Sequence, residues 1–111
     1  MDFSIARKRL EEMRDDLDRS ISVLQGEHPE PRAEDAADAG ANLSEADRNE
    51  AVLHSARAQR TAVLAALARV ENGHYGYCVD CGKPVAEGRL EARPEAARCV
   101  GCQGKWDRRR R

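Results

Sequence analysis

Four cysteines near the C-terminal end constrain this chain more than any other feature. They form two pairs, "CVDC" at residues 78–81 and "CVGC" at residues 99–102, with 17 residues between the pairs. Two C-x-x-C pairs separated by roughly 15 to 20 residues are typical of zinc sites. Four thiolates complete a tetrahedral shell and leave no position for water, so the spacing predicts one structural Zn²⁺ per chain. The predicted ligands are Cys78, Cys81, Cys99 and Cys102.

Two other uses of the four thiols stay open from the spacing alone. A redox-active pair of the thioredoxin type needs one C-x-x-C and a surrounding sheet, and an iron–sulfur cluster can use the same four ligands. The N-terminal stretch "MDFSIARKRLEEM" lacks the apolar core of a signal peptide, and no apolar run approaches the roughly 20 residues that span a membrane. We therefore expect a cytoplasmic protein without a membrane partner, in which cysteines stay reduced.

The first 25 residues carry the seven-residue hydrophobic repeat of a coiled coil. A leucine or phenylalanine stands at every seventh position, with smaller or flexible side chains between them. These positions are Phe3, Leu10, Leu17 and Leu24, with Ala6, Met13 and Ser20 in between. Charged residues make up 35% of the chain and aromatic residues 4%, so a thick core is not expected. The pattern predicts a helix that packs one narrow face against a single partner helix.

A second helix is predicted from about Ser44 to Asn72, with Gly73 as its stop, and local propensity also allows a start a few residues earlier. Ser44 is a suitable N-cap, and the prolines at 29 and 31 separate the two helices. The short connection predicts an antiparallel hairpin. With the loop centred near residue 35, Arg60 is expected opposite Glu11 and Glu12. The predicted inner face of the second helix consists of Leu53, Ala56, Val63, Leu67 and Val70.

The predicted fold is therefore mainly α, in two parts. Residues 1–72 form an antiparallel helical hairpin with an acidic tip loop at about 29–43, and residues 73–111 form a small four-cysteine zinc-finger lobe with a basic tail. Residues 83–85 and 89–91 are candidates for two short strands. The stretch after Cys102 predicts a short C-terminal helix in which Trp106 packs on the lobe or on the end of the hairpin. Without metal such a lobe has almost no core, so zinc is expected to supply its folding energy.

Charge is distributed unevenly along the chain. Residues 25–50 contain eight acids and two bases, whereas residues 82–111 contain nine bases and four acids. Such a dipole can orient an encounter with a large partner. An acidic middle segment is repelled by phosphate, so direct sequence-specific DNA binding is not expected.

The second helix and the cysteine-rich end resemble the DksA/TraR family of zinc-finger transcription regulators. The resemblance depends on "YGYC" at 75–78, "CG" at 81–82, "RLEARP" at 89–94, and Cys99 and Cys102. It covers the second helix and the lobe closely, and the first helix by pattern. The combination of "RLEARP" with the cysteine spacing is much more specific than a bare zinc-binding pair.

The resemblance implies a function. Members of this family bind bacterial RNA polymerase directly, insert the hairpin into its secondary channel and bring an acidic tip near the catalytic centre, which alters the stability of promoter complexes. The family's tip pattern is D-x-x-D-x-A. Here Asp35 and Asp38 match its acids, and Gly40 stands where the family has alanine. Some members act with the nucleotide ppGpp, and Arg93 matches a basic position near that site, which makes it a candidate nucleotide contact.

Two alternatives to a polymerase-binding regulator remain at this stage. One is a nucleic-acid-binding zinc protein that uses Lys105 and the arginines at 108–111, and the other is a structural coiled-coil adaptor. An enzyme is not expected, because the sequence offers no open metal position and no nucleophile paired with a base. The hairpin satisfies its own apolar seam, so a monomer is expected.

Overall fold

The computed structural model describes residues 1–26 and 39–110, with side chains at all of these except 39–44. This part of the chain forms four helices and no extended strand. Helix α1 spans Phe3–Leu24 and helix α2 spans Ala39–Glu71. The lobe that follows contains the short helix α3 at Glu87–Ala92 and helix α4 at Val100–Arg109. The described residues measure 56 × 33 × 20 Å, so the predicted elongated, mainly helical architecture is confirmed.

The ends of the two long helices follow ordinary capping chemistry. The carboxylate of Asp2 accepts a hydrogen bond of 2.7 Å from the backbone N–H of Ser4 and so caps α1. At the end of α2, Gly73 adopts a φ of 76°, and the N–H of His74 donates to the carbonyl of Arg69 at 2.9 Å. A residue with a positive φ is needed to close a helix in this way, and glycine adopts it without strain. The predicted stop at Gly73 is confirmed.

Helix α2 begins at Ala39, so the expected start at Ser44 is wrong and the alternative of an earlier start is confirmed. Alanine and leucine are strong helix formers, and a single internal glycine costs only about 1 kcal/mol relative to alanine. A 33-residue helix stabilised by packing further along its length tolerates that cost. Gly40 therefore lies in the first turn of α2 rather than in a loop.

The hairpin packs through one face of each helix. Ala6 and Leu10 of α1 are completely buried, and Met13 and Leu17 are partly buried beside them. The buried residues of α2 are Leu53, Ala56, Val63, Ala66 and Val70. The predicted seam is confirmed at most of its positions, but Phe3 and Ser20 are exposed and Ala66 was not expected.

Two ion pairs fix the register of the hairpin. Arg60 pairs with Asp18, and Arg7 pairs with Glu71 at 3.1 Å, so both pairs are centred on residue 39. The expected pairing of Arg60 with Glu11 and Glu12 is wrong, because that prediction centred the hairpin near residue 35. Both observed pairs are substantially exposed, and a pair of this kind contributes about 0.5 kcal/mol.

The core of the hairpin continues into the lobe. One cluster of buried residues joins Leu10, Val63 and Val70 to Tyr75 and Leu90, and Cys78 and Val85 also belong to it. The expectation that the lobe has almost no core is therefore wrong. The expected strand at 89–91 is also wrong, because these residues lie in α3, where Leu90 turns inward and is 2% exposed. The segment at 83–85 forms only an isolated antiparallel bridge between Pro84 and Tyr77.

Candidate metal centre

The first cysteine pair lies in a tight turn. The N–H of Gly82 donates to the carbonyl of Cys78 at 2.9 Å, and the N–H of Cys78 donates to the carbonyl of Lys83 at 2.8 Å. Gly82 has a φ of 75°, a conformation that side chains rarely adopt, and it is the residue that allows the chain to reverse here. The turn therefore directs the thiols of Cys78 and Cys81 to the same side.

The second pair is placed by the start of α4. Cys99 is the N-cap of this helix, and its Sγ accepts a hydrogen bond from the backbone N–H of Cys102 at 3.5 Å. The N–H of Val79 donates to the carbonyl of Ala97 at 2.9 Å, which ties the first pair to the segment that leads into the second. One helix start and one tight turn thus bring four thiols together.

The geometry of the four sulfurs fits a tetrahedral zinc ion. All four Sγ atoms lie within 4.8 Å of one another, and those of Cys81 and Cys99 are 3.9 Å apart. A Zn–S bond of about 2.3 Å in a tetrahedral shell requires sulfurs about 3.8 Å apart. The cysteines are free thiols rather than disulfides. The structure brings together the four predicted metal ligands, Cys78, Cys81, Cys99 and Cys102.

The thiols differ in burial and in acidity. Burial disfavours the thiolate of Cys78, but backbone hydrogen bonds from Cys81, Cys99 and Asp80 outweigh it and lower the pKa of Cys78 to about 6. Backbone and side-chain hydrogen bonds from Cys102 lower the pKa of Cys99. The hydrogen bond that Cys102 makes to Cys99 raises the pKa of Cys102 to about 12. A metal ion binding here must therefore displace protons from the cluster.

Tyr75 attaches the lobe to the hairpin. Its side chain is 2% exposed, and its hydroxyl donates to the carbonyl of Pro94 at 2.8 Å. The ring of Phe3 packs edge-on against it, with centroids 6.0 Å apart. Burial raises the pKa of the Tyr75 phenol, so it stays protonated and able to donate. Arg9 of α1 adds a hydrogen bond of 2.8 Å to the carbonyl of Glu91.

Arg98 makes three contacts around the cysteine cluster. Its Nε donates to Oδ2 of Asp80 at 2.7 Å, and its guanidinium lies 4.1 Å from the centroid of the Trp106 ring. Its carbonyl accepts a hydrogen bond of 2.9 Å from Nε of Arg89. Of the two sites on which Trp106 was expected to pack, the lobe and the end of the hairpin, the structure shows contact with the lobe. Sequence reasoning did not select Arg98 or Asp80, although each stands next to a cysteine in the chain.

An open cleft of about 460 Å³ lies between α2 and the lobe. Arg89, Arg93 and Arg98 line it together with Glu95, and Ala62 contributes from α2. Arg93 is 70% exposed and lies 3.9 Å from the carboxylate of Glu95, so it keeps a largely free guanidinium. The candidate nucleotide contact thus lies at the mouth of an arginine-lined cleft.

Of the three predicted tip residues, only Gly40 lies in the described part of the chain. Asp35 and Asp38 lie outside the described residues, and Gly40 is the second residue of α2. Within the parts of the chain that the structure describes, no helix is long and apolar enough to cross a membrane.

Fold and site together define a helical hairpin that carries a four-cysteine finger. A family model described as "Prokaryotic dksA/traR C4-type zinc finger" matches residues 73–106. A solved "DnaK suppressor protein" from Agrobacterium tumefaciens C58 is 30% identical, with a TM-score of 0.67, and the match covers 95% of this chain and 94% of that one. The chain therefore belongs to the DksA/TraR zinc-finger family. Transcription factor DksA2 from Pseudomonas aeruginosa shares the fold, with a TM-score of 0.76 at 24% identity over 97% of this chain and 84% of that one.

Two curated relatives are similar in sequence, and both are named "RNA polymerase-binding transcription factor DksA". The protein of Caulobacter vibrioides (strain NA1000 / CB15N) is 52% identical over 46 residues, which is 41% of this chain and 32% of the relative. The protein of Escherichia coli (strain K12) is 32% identical over 97 residues, 83% of this chain and 60% of the relative. The chain thus spans less than two thirds of the length of either curated relative.

Proposed function

We propose that this protein is a bacterial transcription regulator that binds RNA polymerase directly. The observation that carries the proposal is the similarity to the Escherichia coli RNA polymerase-binding factor along 83% of this chain. An alignment of 97 residues extends far beyond the zinc finger at 73–106 and includes most of the hairpin. The similarity therefore includes both the helical hairpin and the zinc finger, and we assign to this chain the function that the relative's name describes.

The hairpin is the part proposed to enter the polymerase. A 33-residue helix is about 50 Å long, which suits insertion into a channel such as the secondary channel. The tip acids Asp35 and Asp38, with Gly40 beside them, are proposed to act near the catalytic centre and to change the stability of promoter complexes. Their negative charge is suited to a site that contains basic side chains and Mg²⁺.

The lobe is proposed to hold one structural Zn²⁺ per chain through its four cysteines. Closed four-thiolate sites lack an exchangeable position, so the metal supports the fold and performs no catalysis. We accordingly propose a regulator that is not itself an enzyme. It acts as a cytoplasmic monomer divided into a hairpin at 1–72 and a zinc lobe at 73–111.

A paired measurement tests this function. Binding of the zinc-loaded protein to purified core RNA polymerase is titrated, and transcription from a sensitive promoter is measured in vitro with the same samples. Asp35→Asn and Asp38→Asn, singly and together, should keep the fold and most of the affinity for polymerase, because the two long helices and the lobe supply the contact area. Regulation should be lost, because the negative charge of the tip is removed. Full regulation by the double variant at saturating concentration would contradict the tip mechanism. A failure to bind polymerase would contradict the proposed function as a whole.

The exposed basic residues of α4 favour one competing function. Lys105, Arg108 and Arg109 of this helix are exposed, and so is Arg110 directly after it, as a nucleic-acid-binding helix requires. Titration of duplex DNA without polymerase separates the two functions. Tight binding that weakens steeply with salt would favour the nucleic-acid-binding protein, whereas binding to neither would favour the structural adaptor.

The arginine-lined cleft suggests a nucleotide partner for the regulator. A polyphosphate such as ppGpp carries the charge that Arg93 and its neighbours can neutralise. The polymerase complex should respond to added ppGpp, and Arg93→Ala should reduce that response without reducing the affinity for polymerase. An equal response from both proteins would rule out Arg93 as the contact.

A further inference from the structure

We propose that Arg98 is a positioning residue that holds the exposed edge of the zinc site closed and so slows the loss of metal. The inference rests on the proposed structural zinc and goes beyond it, because it concerns a side chain that does not bind the ion. It assigns a shared role to three residues, Asp80, Arg98 and Trp106, whose contacts surround the cysteine cluster.

The Asp80–Arg98 ion pair lies beside one edge of the sulfur cluster. Asp80 immediately precedes Cys81, and Arg98 immediately precedes Cys99. The Sγ atoms of these two cysteines are 3.9 Å apart, and Nε of Arg98 is 2.7 Å from Oδ2 of Asp80. The ion pair therefore makes a second connection, parallel to the sulfur edge, between the two halves of the site.

Cys81, at one end of this edge, is the most exposed of the four cysteines. Cys81 is exposed, whereas Cys78 is buried and the other two cysteines are intermediate. An attacking chelator must meet an accessible sulfur first, so ligand exchange should start at Cys81. Separating Cys81 from Cys99 also separates Asp80 from Arg98. The ion pair therefore opposes the opening step while adding nothing to the coordination itself.

The guanidinium of Arg98 also contacts the ring of Trp106, which restricts its position. The Arg98 side chain is only 19% exposed, and its guanidinium lies 4.1 Å from the centre of the Trp106 ring on α4. Arginine can pair with a carboxylate and stack on an aromatic ring at the same time, because its charged group is planar. Lysine can replace the charge but not this combination. Arg98 thus connects the first cysteine turn to α4, the helix whose N-cap is Cys99.

The test measures how fast zinc leaves the loaded protein. Zinc transfer to an excess of a chromogenic chelator is followed over time in the full-length protein. Arg98→Ala should accelerate transfer about tenfold, the lower end of the effect expected for residues that orient metal ligands. Asp80→Asn should also accelerate transfer, and the double variant should be no faster than Arg98→Ala, because both changes remove the same ion pair. Arg109→Ala, which removes an exposed positive charge from α4, should leave the rate unchanged.

A salt series and a fluorescence signature separate this role from general destabilisation. High salt should accelerate transfer from the parent more than from Arg98→Ala, since only the parent has the Asp80–Arg98 ion pair that screening weakens. Trp106 is the single tryptophan of the chain, so its emission reports on the stacked guanidinium. Emission should change in Arg98→Ala and in Arg98→Lys but not in Asp80→Asn.

The outcomes distinguish this inference from the zinc proposal. Equal transfer rates for the parent, Arg98→Ala and Asp80→Asn would overturn the role of Arg98 and leave the structural zinc intact. Rate effects that add in the double variant would overturn it too. If Arg98→Ala does not take up zinc, Asp80→Asn decides, since its side chain keeps the shape of aspartate. Absence of zinc from the purified parent would overturn both proposals.

Discussion

At the scale of single residues, Tyr75 shows how one side chain joins several parts of the molecule. Its ring is packed against Phe3 at the start of α1, and its hydroxyl holds the backbone at Pro94. A buried carbonyl that loses its donor retains the cost of its desolvation, so the hydroxyl matters more than its small size suggests. The resemblance to the family drew attention to this position, but only the structure shows what it contacts.

Tyr75→Phe should lower the free energy of unfolding by about 1–2 kcal/mol, because the carbonyl of Pro94 is left without a partner. Denaturant titration of the zinc-loaded protein measures the change. Tyr77→Phe is the matched control, since Tyr77 is 52% exposed and its substitution should shift stability by less than about 0.5 kcal/mol. Equal stabilities for the two variants would show that the Tyr75 hydroxyl is not important for the fold.

Alkaline pH provides a second measurement on the same side chain. Burial raises the pKa of Tyr75 above its ordinary value of 10.0, so the folded state favours the protonated phenol. A raised pKa contributes stability that is present below pH 10 and is lost as the pH rises through the folded value. In Tyr77→Phe protein, where Tyr75 is the remaining tyrosine, ultraviolet absorbance should show ionisation at a higher pH in the folded than in the urea-unfolded state. Coincident titrations would contradict the burial of this phenol.

At the scale of secondary structure elements, the seam of the hairpin depends most on Leu10. This side chain is completely buried in α1. Leu10→Ala should therefore lower the free energy of unfolding by about 2–5 kcal/mol through lost burial and the cavity left behind. Ile5→Ala, on the same helix at a residue that is 55% exposed, should change it by less than about 0.5 kcal/mol. Thermal unfolding followed by circular dichroism compares the two, and similar melting temperatures would contradict the proposed seam.

The sequence supports the elements and their apolar faces better than their register. The sequence predicts both long helices from their apolar patterns, because helical periodicity is a local property. Gly73 predicts the C-terminal end of the second one. The register was missed because it depends on the full length of the connection and of α2, and these set the Arg60–Asp18 pairing. A helix at 89–91 was missed because six residues carry too little periodicity to distinguish a short helix from a strand.

The candidate site was predicted unevenly for a physical reason. Metal ligands are recognisable in sequence because coordination demands particular residue types at particular spacings. Residues that act by supporting them have no such requirement. Arg98 could pair with any acid that the fold brings near, and only the folded chain shows that this acid is Asp80.

At the scale of the whole molecule, hairpin and lobe share one core. Buried residues run without interruption from Leu10 and Val63 to Tyr75, Cys78 and Leu90. A bound metal is therefore not needed for all of the order in the lobe, contrary to what the sequence suggests. An ion held by the four cysteines would join the two cysteine pairs to each other.

Zinc removal should have a graded effect. A strong chelator should disorder the cysteine turn and α4 while most helical signal persists, because α1 and α2 contain most of the helical residues. Circular dichroism measures the helical content, and amide resonances show which residues change. Tyr75 and Leu90 should keep part of their protection through the shared core. Loss of nearly all helicity on chelation would show that the hairpin depends on the metal.

Because of the shared core, a small rotation of the lobe is converted into a larger displacement at the distant end of the hairpin. Because buried residues of the hairpin and of the lobe pack in one cluster, the angle at which the lobe is seated determines where the far end of α2 lies. Over a helix of about 50 Å, a tilt of about five degrees at the lobe displaces that end by about 4 Å, more than the length of a hydrogen bond. A substitution that loosens the packing of Tyr75 would thus displace the end of α2 that lies farthest from the lobe.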